Sequence, residues 1–300
     1  MDKNQRNMDS LSVIPFYRSV EEQDFRKAWA YGQVFTLPVS RNYLLPFSFS
    51  IDGGAEKSVK SVEIFRGGCG EAQPFYRNGD FNEDFDLSFN VYGSGDWTEE
   101  IKNNGLYTIA TGTSSVTTTI YYCAEENHAL NLPKGQYYLR IVLEGDLEYF
   151  SEVFTCVDDA DLSKYLKITW RSYDNLEFYG GFLPYEDEYY KNVLYLDTDV
   201  GMPEYPFEEE GETRNGYFFA TKQISYKKYK FNFIAPEYLC DAMRIIRMSD
   251  YIAIVDPLGR WYDVTSFLLN DPEWLEQGHY ANVDCEFTTD TIVKVVGRAI

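Results

Sequence analysis

A chain of 300 residues is too long for one small core and suits two domains. Hydrophobic residues at 44% call for a folded protein rather than a disordered one. A net charge of −21 and a pI near 4.5 argue against a nucleic-acid-binding face and against adhesion to anionic membranes, while suiting a wall that DNA slides past. Aromatic residues reach 17%, with 26 Tyr and 21 Phe, which fits strands and Tyr-rich contact surfaces. Met1–Ser10 is polar and no apolar core follows a basic start, so no signal peptide is read. No run approaches the ~18 apolar residues of a membrane helix. Cys69, Cys123, Cys156, Cys240 and Cys285 are scattered, without a C-x-x-C pair. They read as reduced thiols of a protein made in a cytoplasm.

Residues 1–30 read as an N-terminal arm. Glu21–Ala30 suits a short helix with Phe25 and Trp29 four apart, and little else there can be buried. Such an arm either frays or packs on a neighbouring chain. Residues 31–158 read as β throughout. Leu45–Ile51, Val59–Phe65, Phe85–Val91, Leu106–Ala110, Val116–Ala124, Gln136–Leu143 and Leu147–Val157 are candidate strands, with turns at Asp52-Gly53-Gly54, Gly67-Gly68, Asn78-Gly79, Gly93-Ser94-Gly95 and Glu144-Gly145-Asp146. This pattern predicts an immunoglobulin-like β-sandwich, although the Cys…Trp…Cys spacing of true immunoglobulin domains is missing. Asp158-Asp159-Ala160-Asp161 is a solvated charge cluster that predicts a domain boundary.

Residues 162–300 read as an α+β domain, an antiparallel sheet with one helix. Leu166, Ile168 and Trp170 open it, Tyr179-Gly180-Gly181 turns the chain, and Val193–Leu196 is a short strand. Residues 201–216 carry Pro203, Pro206, Glu208, Glu209, Glu210 and Glu212 without a period, which predicts a long exposed acidic loop. It either contacts a partner or is simply solvated. Tyr229, Phe231 and Phe233 alternate with Lys228, Lys230 and Asn232, a half-buried strand. Pro236 suits the first turn of a helix, whose face is Leu239, Ala242, Met243 and Ile246, with Arg244 and Arg247 in its last turns. Tyr251–Val255, the type I turn Asp256-Pro257-Leu258-Gly259 and Arg260–Phe267 form a hairpin. Val283, Cys285 and Phe287 alternate with polar residues in another strand, and Thr291–Val296 closes the unit.

No catalytic constellation forms. His128 and His279 are the two histidines, and neither a G-x-S-x-G elbow nor an H-E-x-x-H helix occurs. Gly67-Gly68-Cys69-Gly70 lacks the strand-to-helix setting of a phosphate cradle. Asn78–Asp86 gathers carboxylates but lacks the glycine and terminal Glu of a calcium loop, and Asp197-Thr198-Asp199 reads as a polar turn. No catalytic, cofactor or metal residue is assigned. Tyr185, Tyr189, Tyr190, Tyr195, Tyr217 and Phe218 could line a sugar-binding face, or serve as packing and subunit-contact anchors.

The run Asn192-Val-Leu-Tyr-Leu-Asp197, with Pro203–Glu212, Gly216–Phe219 and Tyr229–Ala242, and the hairpin Leu132–Phe154, resembles virion proteins of phages of gut Bacteroidetes. Taken together it resembles the tail ring proteins of crAss-like phages, from about Leu130 to the C-terminus. The resemblance implies a non-enzymatic virion component: copies of one chain closed into a ring, with symmetry matching a twelve-fold portal. It implies stacking with other ring proteins, portal or tail proteins in a tail barrel that DNA traverses without specific binding, and no membrane. The alternative is a carbohydrate-binding module or adhesin that contacts host glycan.

Overall fold

The computed structural model describes residues 13–25, 35–40, 48–52, 59–66, 76–77, 88–93, 105–111, 117–121, 133–143, 147–171, 192–275 and 280–295. Expectations at Trp29, at the turns of residues 53–54, 67–68, 78–79, 94–95 and 144–146, and at 179–181 lie outside them. The strands before residue 158 are β1 (Phe16–Tyr17), β2 (Leu37–Ser40), β3 (Ser48–Asp52), β4 (Val59–Arg66), β5 (Tyr76–Arg77), β6 (Ser88–Gly93), β7 (Gly105–Thr111), β8 (Thr117–Tyr121), β9 (Gly135–Leu143), β10 (Glu148–Ser151) and β11 (Phe154–Val157). β9 is the spine of a seven-stranded sheet. β4 runs antiparallel along one of its edges, while β10 and then β11 take the other. Tyr137, Leu139 and Ile141 of β9 are wholly buried and their neighbours are half-buried, the period of a strand with one face on a core. Glu63 is buried on β4 and accepts a 2.6 Å hydrogen bond from Arg140 Nε. β3, β8, β7 and β6 form a second sheet. The class is mainly β, as the alternation requires. The β2–β11 and β6–β7 pairs run parallel, which a sandwich of two antiparallel sheets does not lead one to expect.

The arm is not detached where it is described. Val13 and Ile14 are each 1% exposed and belong to the main core, and β1 pairs with β10. The chain breaks between β10 and β11 at Glu152-Val153, and the arm fills that break. The Glu152 N–H donates to the Pro15 carbonyl at 2.8 Å. The Glu152 carboxylate accepts the N–H groups of Asp24 (2.7 Å), Phe25 (2.8 Å) and Val153 (3.1 Å). Burial pushes this carboxyl above its usual range, against the pull of those N–H donors. Gln23 is buried and donates to the Ser151 carbonyl at 2.6 Å. Too few apolar residues stand in the arm to make a period, so the sequence hides a plug of this kind.

The remaining strands are β12 (Leu166–Arg171), β13 (Asn192–Leu196), β14 (Phe207–Arg214), β15 (Tyr217–Pro236), β16 (Tyr251–Val255), β17 (Trp261–Asp263), β18 (Ser266–Leu269), β19 (Glu273–Trp274) and β20 (Tyr280–Val295). The single sheet expected here is two. One has the order β13-β12-β16-β17, the other β14-β15-β20-β18 with β19 also on β20. The strand read as Arg260–Phe267 splits at Val264-Thr265, so Tyr262 enters one sheet and Phe267 the other. The helix Glu237–Arg247 follows Pro236, which is its extended N-cap rather than part of its first turn. Leu239, Ala242, Met243 and Ile246 are all buried on the face their spacing defines. Tyr229 and Phe231 of β15 meet Phe287 of β20, with Tyr229 and Phe287 stacked at 5.2 Å between ring centroids, and Phe233 stacks on Phe231.

At the expected boundary, Asp159–Leu162 is a short helix, and Lys134 bonds Asp161 at 2.9 Å. Leu162 is buried there. Buried residues from both sides of this junction, such as Tyr137, Phe154, Ile168 and Phe287, form one contiguous cluster.

The Asp256 turn holds the β16–β17 hairpin. The Gly259 N–H donates to the Asp256 carbonyl at 2.8 Å, with Gly259 at φ +77°. Asp256 Oδ1 accepts the N–H groups of Leu258 (3.0 Å) and Arg260 (2.8 Å). Its Oδ2 accepts Arg260 Nε (2.6 Å) and the Tyr262 hydroxyl (3.0 Å). Burial alone would raise this carboxyl, but the Arg260 N–H donors, the Tyr262 hydroxyl and the Arg260 charge hold it below the usual range. Burial, then Asp256, pushes the Tyr262 hydroxyl up to about 12, so it remains a donor.

Two outcomes follow from these contacts. Ile14→Ala removes buried methyls and should lower stability by about 2–5 kcal/mol in chemical denaturation; a shift near zero would mean the arm is detachable. Asp256→Asn replaces an acceptor by a donor facing Arg260, which should cost about 1–3 kcal/mol near pH 7. A lowered carboxyl stabilises the fold above the ordinary carboxyl range, and that contribution is lost as pH falls through its lowered value. The gap in melting temperature between wild type and Asp256→Asn should therefore narrow steadily below about pH 4.

Candidate assembly surface

β15 is 20 residues long, but the helix and core cover only its second half. From Tyr229 onward alternate residues are buried; from Tyr217 to Lys228 none is. β20 behaves alike, because every residue from Asp290 to Val295 is exposed. All eight residues of β14 are exposed. Together these segments form a ribbon that leaves the core, three-stranded over Lys222–Ser225 and two-stranded from there to its tip. Tyr217 to Ser225 at ~3.3 Å per residue spans roughly 30 Å.

The acidic stretch 201–216 is thus not the loop its composition indicates. Residues 201–206 run along β15: the Gly201 N–H bonds the Lys230 carbonyl and the Glu204 N–H bonds the Lys228 carbonyl, both at 2.8 Å. Phe207–Arg214 then pairs with β15 in an antiparallel hairpin. The tip is Asn215-Gly216, with φ 52° and 82°, the two left-handed positions of a type I′ turn. That dipeptide was the available sequence signal. The alternation was hidden because neither face of the ribbon is buried.

Cross-strand partners share a face, so the register sorts the side chains. Phe207, Ser225 and Ile292 form one row, and Glu209, Gln223 and Lys294 form the next row on the same face. The opposite face carries the rows Glu208–Ile224–Val293 and Glu210–Lys222–Val295. Gln223 Nε2 donates to Glu209 at 2.5 Å, and Lys222 pairs with Glu210 at 3.1 Å. Toward the tip, Gly211 opposes Ala220, with an irregularity beside Glu210. A Cβ on Gly211 would lie 2.4 Å from the Phe219 carbonyl oxygen and 2.6 Å from the Phe218 ring, so only glycine fits.

Phe207, Tyr217, Phe218, Phe219, Ile292, Val293 and Val295 are all exposed large apolar side chains of this ribbon; Tyr217 is 72% exposed and Val295 is 70% exposed. Such a concentration on one projection makes it the candidate interaction surface of the described residues. Both edges are open: among the described residues no strand pairs with the outer edge of β14, or with the edge of β20 beyond Thr288.

Among the described residues the aromatic candidates do not gather. Tyr217 and Phe218 are successive in a strand and point to opposite faces, so they make no common platform. Tyr195 is half-buried on β13. Tyr185, Tyr189 and Tyr190 lie outside the described residues, as do Asn78–Asp86, Gly67–Gly70, His128 and His279. Asp197 and Asp199 are exposed, and Thr198 Oγ1 between them donates to the Asn232 carbonyl at 2.6 Å. Among the described residues no cluster of His, Cys, Asp and Glu could hold a metal, and no helix is long and apolar enough to cross a membrane. Cys156, Cys240 and Cys285 are buried thiols, and burial raises Cys240 to about 11. No family model, curated protein or solved structure matches the chain.

Because the ribbon stands outside the core, its integrity and global stability should separate. Gly211→Val should speed chymotryptic cleavage at Tyr217–Phe219 while moving the unfolding free energy by less than about 0.5 kcal/mol, as for other surface changes. A large drop in global stability would show that the ribbon is part of the folding unit.

Proposed function

We propose that the chain is a structural subunit of a phage tail, of the kind found in crAss-like phages. Copies close into a ring and stack with other ring proteins below the portal, forming a barrel through which DNA passes during ejection. The supporting observation is the ribbon of β14, β15 and β20: a sheet continued beyond its core, with apolar side chains on both faces and both edges unpaired among the described residues. A lone subunit gains nothing from such an extension, whereas an assembly covers it. The net charge of −21 fits a conduit for DNA, because a like-charged wall attracts no phosphate backbone. The chain acts here by contact, with no reaction assigned to it.

Electron microscopy of the purified protein, with mass spectrometry of virions whose genome encodes it, provides the test. Ring-shaped particles and peptides of this chain in the virion are expected. Virions that lack the chain, together with a protein that shows no ring at any concentration, would overturn the reading.

A further inference from the structure

We infer that the two open edges of the ribbon pair with each other between copies: β20 of one subunit, over Ile292–Val295, adds the β14 strand of the next, over Phe207–Glu210. This inference rests on the ring reading and specifies its contact. Three observations carry it.

The first is direction. β14 and β20 are both antiparallel to β15, so they run parallel to each other. Rotation about an axis along the strands preserves that direction. The β20 edge of one copy therefore meets the β14 edge of the next as a parallel neighbour, and the same step repeats until the ring closes. The contact is head-to-tail, which is what a ring with more than two members needs.

The second is charge. The β14 edge carries Glu208, Glu209, Glu210 and Glu212 against Arg214, whereas Thr291–Val295 carries Lys294 and no acid. A two-fold pairing of β14 with itself, centred on Glu210, would set Glu208 opposite Glu212 of the other copy. Like charges directly opposed are unfavourable, so this edge rejects its own kind. The β20 edge offers it a cation and three apolar side chains instead.

The third is row continuity. Within one copy, residue 207 stands in line with 292, and 209 with 294. An unstaggered addition extends both rows on the same face. Ile292 then meets Phe207 of the next copy, and Lys294 meets Glu209. Ile292 is 69% exposed and Phe207 is 58% exposed, and each would lose that exposure against the other.

Cysteine cross-linking tests the pairing. Glu209 and Lys294 of one copy are separated by β15, two strand spacings or ~10 Å, beyond the reach of a disulfide. Any bond in E209C/K294C is therefore between copies. Mild oxidation should give a ladder extending past dimer on non-reducing gels, while E209C alone and K294C alone should give none. A two-residue stagger would move the ladder to F207C/K294C. Charge reversal by K294E should abolish the assembled species, and E209K/K294E should restore it. Assembled rings that give no ladder with either cysteine pair overturn the edge pairing and leave the ring reading standing. A dimer from E210C alone, the position that a two-fold centred on Glu210 sets against itself, would show two-fold pairing and overturn the inference. So would cross-linking of β14 only to a different virion protein. A chain that never assembles, and is missing from virions, fails on both counts.

Discussion

The structure depends on one pairing, β15 with β20, which is longer than the core beneath it. In its covered half, Tyr229, Phe231 and Phe233 face Phe287, Cys285 and Val283 across the register, and the helix Glu237–Arg247 seals that face. Burial there follows the ordinary rule that a sheet must hide one face. In the other half the same hydrogen-bonded ladder continues with no layer on either side among the described residues. The β15 backbone is paired on both sides over Lys222–Ser225, but the ribbon's outer edges and its side chains are left uncovered there. A strand of 20 residues is far beyond the usual 3–10, and the excess is the part without a core.

The transition between the halves is built rather than gradual. The β15–β20 register shifts between Ser225 and Lys227, and Asp290 sits at φ 51° in the left-handed region. Lys227 bonds Asp290 at 3.0 Å across this bulge. Before it, Phe287 and Thr289 lie on the core face; after it, residue 292 takes that face in place of 291. The bulge therefore places Ile292 rather than Thr291 in the Phe207 row, and a bulge also bends and twists the ribbon as it leaves the body. Below it, Lys228 pairs with Glu286, and Lys230 bonds Glu204 at 2.8 Å. The exposed Lys230–Glu204 pair contributes little stability by itself. Its effect, with the backbone bonds of Gly201 and Glu204, is to hold residues 201–206 along β15, so that β14 starts in register.

What the sequence makes legible follows the same division. Where one face is buried the period is plain: Tyr229–Phe233, Val283–Phe287, Gln136–Leu143 and the helix face Leu239–Ile246 are legible because burial selects alternate or helical positions. The Asp256–Gly259 turn is legible because its residues fix local geometry without outside help. The ribbon is not legible, because exposure on both faces removes the alternation, and four glutamates imitate a solvated loop. Only Asn215-Gly216 marks it. The division of residues 162–300 into two sheets is invisible for a different reason. Val264-Thr265 carries no turn signal, and which sheet a strand joins is decided by long-range pairing. The packing of the arm is invisible for the same reason: its anchor is the broken strand at Glu152, more than 120 residues away in the chain.

The arm and the ribbon are opposite solutions to one problem, unpaired backbone at the margin of a sheet. Glu152 interrupts β10–β11, and the arm's N–H groups satisfy its carboxylate inside the same chain, at the expense of a buried charge. The break is thereby closed and cannot recruit a neighbour. The ribbon leaves its edges unpaired but charges them. Glu208–Glu212 repel another acidic edge and accept a basic one, so the edge stays selective while it waits. Segments whose surfaces are left for a partner belong to the least stable part of a fold, because nothing within the monomer rewards their order. The expectation is that the ribbon contributes to assembly in proportion as it contributes little to the subunit.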